Sequence, residues 1–149
     1  MKIHKTSIVN KNAQIANDVE IGPFCIIDND VKIESGTKIM PYVHILPYTT
    51  IGKNNIIYQG STIGGIPQDL KFNNEKTELI IGDNNVIREY CTLNRGTSFL
   101  NKTKIGSNCL LMAYVHIAHD CMINNSVILA NGVQLGGHVE IGYHATVGG

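Results

Sequence analysis

The amino-acid sequence predicts an all-β fold, a parallel β-helix shaped as a triangular prism. An apolar residue stands at 23 of the 25 positions that are spaced six residues apart from Ile3 to Val147, and only Asp69 and Glu75 interrupt the series. Small or β-branched residues often stand two positions before it, and Gly, Asn or Asp often follows it. Each hexad is therefore predicted to be a short strand followed by a tight turn.

The period of six decides the architecture, because neither an amphipathic helix nor an ordinary strand repeats at that interval. Three hexads per coil give about eighteen residues per turn, with parallel strands about 4.8 Å apart. The 149 residues then form about eight coils. We expect residues 1–149 to be one elongated domain without a linker.

The four cysteines share one position of the hexad, two residues before the apolar one. Ala, Val, Ser and Thr occupy this position in other hexads, and free cysteine often behaves as a small buried hydrophobe. No Cys-x-x-Cys pair occurs, so neither a metal site nor a disulfide is expected. These residues are Cys25, Cys91, Cys109 and Cys121.

Two excursions interrupt the pattern without losing its phase. The first is expected near residues 64–80 as a loop that protrudes from the prism. It carries Gln68, Asp69 and Lys71, whose polar groups suit hydrogen bonding to a sugar or a phosphate. The second, smaller excursion near residues 95–104 is expected only to turn the chain, with its charges solvated.

Composition excludes several classes of function. Twelve basic residues balance twelve acidic ones, and no basic run suggests nucleic-acid binding. The N-terminal residues contain no apolar stretch long enough for a signal peptide or a membrane span. A soluble cytoplasmic protein is expected.

Four of the six histidines cluster late in the chain. They lie outside the apolar column, the positions six residues apart from Ile3 to Val147, and outside the small-residue column, the positions two residues before each of these. They are His116, His119, His138 and His144. His119 and Gly137 are eighteen residues apart, as are Asp120 and His138, so each pair should occupy equivalent points of adjacent coils. An imidazole beside a carboxylate, with a glycine amide one coil away, suits a general base and an oxyanion donor.

These residues carry a specific resemblance. The chain resembles the UDP-N-acetylglucosamine O-acyltransferases, hexapeptide-repeat enzymes that begin lipid A synthesis, along its whole length. The most specific segments are 63–72 (IGGIPQDLKF) and 116–121 (HIAHDC). Further matches are 81–89 (IGDNNVIRE), 94–97 (NRGT), 129–131 (LAN) and 135–138 (LGGH).

The resemblance implies a left-handed β-helix and a reaction. The family moves a 3-hydroxyacyl chain from acyl carrier protein to the 3-hydroxyl of UDP-N-acetylglucosamine. By matching positions, His119 is implied to be the general base, Asp120 to orient or stabilise its imidazolium, and the Gly137 amide to hold the oxyanion.

Roles in substrate binding follow from the same resemblance. Asp69 and Lys71 are implied to contact the sugar nucleotide, with Gln68 beside them, and His116 and His138 to line the cleft. The family is a homotrimer with clefts between parallel prisms, and it needs neither a cofactor nor a catalytic metal. Its members continue with more coils and a C-terminal helical domain that this sequence does not contain, so we expect weakened substrate binding by the 149 residues alone.

Four other interpretations stay open from the residues. Two are related enzymes, the N-acyltransferase of the same pathway and an acetyl-CoA-dependent sugar acetyltransferase. A third is a hydrolyase resembling the γ-class carbonic anhydrases, with zinc held by His116, His119 and His138. The fourth is a non-catalytic scaffold, since a repeat architecture does not by itself imply catalysis.

Overall fold

The fold is an all-β, left-handed parallel β-helix, as predicted. The structure is a computed structural model that describes residues 2–149. In residues 2–149, twenty-two short strands form three parallel sheets, one on each side of a triangular prism. No helix in these residues is long and apolar enough to cross a membrane.

The strands follow one another from sheet to sheet around each coil. The first sheet contains β1 (Lys2–Ile3), β4 (Glu20–Ile21), β7 (Lys38–Ile39), β10 (Ile56–Ile57), β13 (Val86–Ile87), β16 (Leu110–Leu111), β19 (Ile128–Leu129) and β22 (Thr146–Val147). The second contains β2 (Ile8–Val9), β5 (Ile26–Ile27), β8 (His44–Ile45), β11 (Thr62–Gly65), β14 (Thr92–Asn94), β17 (His116–Ile117) and β20 (Gln134–Leu135). The third contains β3 (Gln14–Ile15), β6 (Lys32–Ile33), β9 (Thr49–Ile51), β12 (Glu78–Ile81), β15 (Lys102–Ile105), β18 (Met122–Ile123) and β21 (Glu140–Ile141).

The register between coils follows the predicted eighteen-residue period except at two steps. Residue 2 pairs with residue 20, and residue 128 pairs with residue 146. Ile56 pairs with Val86 across thirty residues, and Val86 pairs with Leu110 across twenty-four. The two steps therefore contain twelve and six additional residues, which are whole numbers of hexads. Every coil after them resumes the same phase.

The apolar column forms the core. Its members from Ile21 to Leu135 are buried, apart from the two polar interruptions and Phe99. Full burial of such a side chain contributes about 1.5–3 kcal/mol. Phe99 differs from the rest of the column because it lies in the second excursion, where it is 72% exposed.

The small-residue column contains two buried asparagines, Asn55 and Asn85. Asn85 N–H donates to Asn55 Oδ1 at 2.9 Å, and Cys109 N–H donates to Asn85 Oδ1 at 2.8 Å. Their amide groups donate to the carbonyl oxygens of Gly82 and Gly106. The ladder thus satisfies polar groups inside the prism that would be costly to leave unpaired.

Both excursions leave the prism at the corner between the second and third sheets. The first comprises residues 66–77, and the second comprises residues 95–101. Gly64 begins the first departure with a left-handed backbone (φ +85°), and a Cβ at this position would collide with Thr49 Oγ1. Only glycine fits here, so the place where the chain leaves the coil is fixed locally.

The core can be tested with two adjacent isoleucines of β10. Ile57→Ala should lower the free energy of unfolding by about 2–5 kcal/mol, because the fully buried side chain leaves a cavity. Ile56→Ala should cost clearly less, because this side chain points outward and is half-buried. Urea denaturation measures both, and equal losses would contradict the assignment of inward and outward faces.

Candidate active site

Two tight turns, one above the other, form the centre of the candidate active site. His119 and Asp120 occupy the turn after β17, and Gly137 and His138 occupy the equivalent turn after β20. The His138 N–H donates to the His119 carbonyl oxygen at 3.1 Å, which joins the two turns directly. Asp120 and His138 both have left-handed backbones, with φ values of 59° and 65°.

His119 lies between a carboxylate and a glycine. Its Nδ1 is 2.9 Å from Asp120 Oδ2. Its ring lies so close to Gly137 that a Cβ on the glycine would be 2.7 Å from Nε2. An ionised Asp120 can only accept, so Nδ1 must carry the proton of this hydrogen bond. The Nε2 atom is then free to accept a proton from another group.

Asp120 is held as an anion inside the protein. It is only 1% exposed, and its carboxylate accepts hydrogen bonds from Thr97 and Leu100 in addition to His119. Burial alone raises the pKa of Asp120, but the hydrogen bonds from Thr97, His119 and Leu100 together lower it below its ordinary value. The carboxylate therefore stays charged beside the imidazole.

A cleft joins these turns to the first excursion. It has a volume of about 190 Å³, and Asp69 and Lys71 line it together with His138 and Phe99. The His138 ring packs edge-on against His119 at 5.0 Å and against Phe99 at 4.9 Å between centroids. The cleft therefore brings polar groups of the loop close to the histidine pair within one chain.

The Asp69 carboxylate also stabilises its own loop. Its Oδ1 accepts a hydrogen bond from the Lys71 N–H at 3.0 Å, while its carbonyl oxygen accepts one from the Phe72 N–H at 2.9 Å. This turn fixes the backbone of Lys71 and leaves its side chain exposed.

Arg95 anchors the loop, contrary to the expectation that the charges of the second excursion are solvated. Arg95 is only 7% exposed, and its guanidinium lies 5.2 Å from the Tyr48 ring centroid and 5.4 Å from that of Phe72. Burial lowers the pKa of Arg95 from its ordinary value. The aromatic faces attract the buried cation and so attach Phe72, and with it the loop, to the prism.

Two predicted site residues lie apart from this cluster. Gln68 is exposed and does not line the cleft. His116 lies on β17, and its Nδ1 is 2.7 Å from Thr92 Oγ1 on the preceding coil. Burial lowers the pKa of His116, with a smaller opposing effect from the Thr92 backbone. His116 therefore faces outward from the second sheet as a mainly neutral side chain.

The arrangement can support two kinds of chemistry. His119 and Asp120 form a base with an orienting carboxylate, and Gly137 permits a backbone N–H to approach a developing oxyanion. Alternatively, His119, Asp120 and His138 offer ligand atoms that all lie within 4.8 Å of one another, which could hold a metal ion. His116 does not belong to this group.

Sequence reasoning missed the contribution of the second excursion to the site. Thr97 and Leu100 bind the Asp120 carboxylate, and Thr103 Oγ1 accepts a hydrogen bond from the Asp120 N–H at 2.9 Å. Thr97 and Thr103 each stand two positions before a residue of the six-residue series, a signal from which their inward direction could have been predicted. Nothing in that spacing indicated that their partner would be Asp120.

The ionised carboxylate gives a prediction for stability against pH. Asp120→Asn should lower the free energy of unfolding at pH 7 by about 2–3 kcal/mol, since hydrogen bonds to a charged group are lost. The pKa of Asp120 is lower in the folded chain, so its stabilisation is complete above about pH 4 and disappears as the pH falls through the lowered pKa. Urea denaturation from pH 7 to pH 3 should show the difference between the two proteins shrinking.

Asp69→Asn provides the control for this measurement, because its carboxylate accepts a hydrogen bond only from the exposed loop. A pH-dependent loss as large as that of Asp120→Asn would contradict the special environment of Asp120.

Comparisons with known proteins show which proteins the chain is similar to. Residues 30–65 and 102–137 match the family described as bacterial transferase hexapeptide (six repeats). A curated relative from Aliarcobacter butzleri, named acyl-[acyl-carrier-protein]–UDP-N-acetylglucosamine O-acyltransferase, is 54% identical over 99% of this chain and 57% of its own length. A relative of the same name from Thermodesulfovibrio yellowstonii is 50% identical over 87% of this chain and 51% of its own length.

A solved structure extends the comparison. LpxA from Acinetobacter baumannii has a TM-score of 0.97 and 51% sequence identity, over 99% of this chain and 57% of that one. The present chain thus spans little more than half the length of the proteins that it matches. Two segments of the chain thus match the hexapeptide-repeat family, and nearly its whole length is similar to part of the UDP-N-acetylglucosamine O-acyltransferases.

Proposed function

We propose that this chain carries the catalytic residues of an acyltransferase that moves a 3-hydroxyacyl group from acyl carrier protein to the 3-hydroxyl of UDP-N-acetylglucosamine, in lipid A synthesis. The observation that carries the proposal is His119, which is bonded to a buried anionic Asp120 and packed against Gly137. The names of relatives about 50% identical support the substrates. Neither a cofactor nor a metal is required for this chemistry.

The proposed reaction begins at Nε2 of His119. This atom takes the proton of the sugar hydroxyl while the hydroxyl oxygen attacks the thioester carbonyl, and Asp120 stabilises the imidazolium that forms. The Gly137 N–H donates to the tetrahedral oxyanion. Collapse of the intermediate breaks the C–S bond, and the imidazolium returns its proton to the thiolate of the carrier. General-base help contributes about 10²–10⁴-fold and one oxyanion donor about 10²–10³-fold, so positioning must add to both.

Substrate binding is assigned to the cleft and its rim. Lys71 is exposed at the end of the turn that Asp69 stabilises, where its cation can contact a phosphate or an acyl oxygen. Asp69 and Gln68 would hydrogen-bond the sugar nucleotide. His138 lines the cleft directly, whereas His116 would contribute from the outer face of the second sheet.

A homotrimer is part of the proposal. Four successive strands of the first sheet direct apolar side chains outward. Three of these side chains are half-buried and the last is exposed: Ile56, Val86, Leu110 and Ile128. A face of this kind suits contact with a second copy of the chain.

Location in the cytoplasm is proposed as well, and the four buried free thiols are compatible with a reducing compartment.

Replacing the base provides the main test. His119→Ala in the full-length protein should lower kcat by about 10²–10⁴-fold, because proton removal from the hydroxyl loses its acceptor. Release of the carrier thiol from 3-hydroxyacyl carrier protein, in the presence of UDP-N-acetylglucosamine, measures the rate. Parallel assays with acetyl-CoA, or with an amino-sugar acceptor, distinguish the related acyltransferases. Unchanged transfer by His119→Ala would support a non-catalytic scaffold role for these residues.

Two adjacent glycines offer a matched pair for the oxyanion site. Gly137→Ala should reduce kcat at least as strongly as the loss of one oxyanion donor, about 10²-fold or more, because its Cβ would displace the His119 ring. Gly136→Ala should have little effect, since a Cβ there has no described atom within 4 Å. Equal activities of the two variants would contradict a catalytic role for the close contact between Gly137 and the His119 ring.

A metal-dependent hydrolyase is the second candidate, because His119, Asp120 and His138 are close enough to share an ion. Asp120 Oδ2 already accepts a hydrogen bond from Thr97, which favours its role as an orienting carboxylate. Elemental analysis of the purified protein distinguishes the two functions. Stoichiometric zinc in the wild type that is lost, together with hydrolyase activity, in His138→Ala would favour the hydrolyase.

A further inference from the structure

The Asp120 carboxylate is saturated with hydrogen bonds, and most of them come from the second excursion. Oδ1 accepts the N–H groups of Thr97 at 3.0 Å and Leu100 at 3.2 Å. Oδ2 accepts the Thr97 hydroxyl at 2.5 Å and is 2.9 Å from His119 Nδ1. A carboxylate offers about four acceptor positions. Here all four are filled, three of them by residues 95–101.

The Thr97 hydroxyl can point in only one direction. Its proton is directed to Asp120, because an ionised carboxylate can only accept, and its oxygen also accepts the Phe99 N–H at 3.3 Å. Thr97 is 7% exposed and Asp120 is 1% exposed, and both are therefore shielded from bulk solvent. A hydroxyl fixed at both ends holds Oδ2 in one place, and the two amides on Oδ1 prevent the carboxylate from rotating.

We propose that Thr97 is a positioning residue that acts through Asp120 on the candidate base. By fixing Oδ2, the Thr97 hydroxyl keeps the imidazole of His119 in the tautomer with its proton on Nδ1 and directs a bare Nε2 towards Gly137. The contribution to catalysis rests on the proposed function, whereas the effect on the tautomer does not. The second excursion is thus part of the catalytic scaffold rather than a simple turn.

The chemistry of threonine suggests the variants. Thr97→Val keeps the shape of the side chain and removes only the hydroxyl, whereas Thr97→Ser keeps the hydroxyl and removes a methyl group. Both retain the backbone N–H that binds Oδ1. Thr97→Ala removes the hydroxyl without adding bulk and replaces Thr97→Val if the valine variant does not fold. Thr50→Val on the outer face of β9 is the matched control, because its hydroxyl makes no hydrogen bond in the described residues.

The tautomer is measured by ¹H–¹⁵N NMR of the His119 ring at pH 8.5, with His119→Gln used to assign the signals. The wild type and Thr97→Ser should show a protonated Nδ1, a bare Nε2 and a slowly exchanging Nδ1 proton. Thr97→Val or Thr97→Ala should show a mixture of both tautomers or rapid exchange. A wild-type spectrum in the folded valine and alanine variants would overturn the proposal.

Kinetics in the full-length protein connect the tautomer to the reaction. Thr97→Val should lower kcat by about 10–100-fold, the usual effect of removing an outer hydrogen-bond partner, with KM within about twofold of the wild type. Thr97→Ser should restore most of the rate, and Thr50→Val should leave it unchanged. A rise in KM without loss of kcat would contradict the positioning role. If the wild type transfers no acyl group, the proposed function fails, and the NMR result still decides the role of Thr97.

Discussion

Hydrogen bonding between equivalent residues of successive coils is the constraint on which the rest of the structure depends. Strands of successive coils pair in parallel, so equivalent residues, which are eighteen apart except at the two insertions, stand directly over one another. A single coil cannot bury its apolar column alone, and stacking provides both the core and the register. The site is a product of this register, because His119 and Gly137 lie far apart along the chain and meet through stacking alone.

Stacking also explains how a chain of two-residue strands supports a precise site. The corner turns repeat one backbone conformation, with the left-handed residue at the same place in most coils. Asp120 and His138 use this conformation, which aligns their side chains on one edge of the prism. The two excursions leave the prism at the same edge, so irregular backbone lies beside regular turns. Polar groups on a loop are thereby held against a rigid support.

The sequence predicted the architecture almost completely, because one repeating pattern specifies core, strands and turns together. It also predicted the contact between His119 and Gly137, since that contact depends only on counting residues. It did not predict what the excursions do. The burial of Arg95 between Tyr48 and Phe72 and the contacts of Thr97 with Asp120 depend on how irregular backbone folds back onto the prism. Irregular backbone has no repeating period. The six-residue spacing therefore placed Phe99 among the core residues, although its side chain is exposed.

The lengths of the two insertions, twelve and six residues, have a consequence for how this protein can change. The residues of either segment can be substituted as long as their contacts with the corner that holds His119 and Asp120 are kept. Adding or deleting a number of residues that is not a multiple of six would have to be absorbed inside the segment itself. Otherwise every inward isoleucine downstream would exchange places with an outward or turn residue. A length change at this corner that leaves the downstream coils in place must therefore be a whole number of hexads or be taken up by the loop itself.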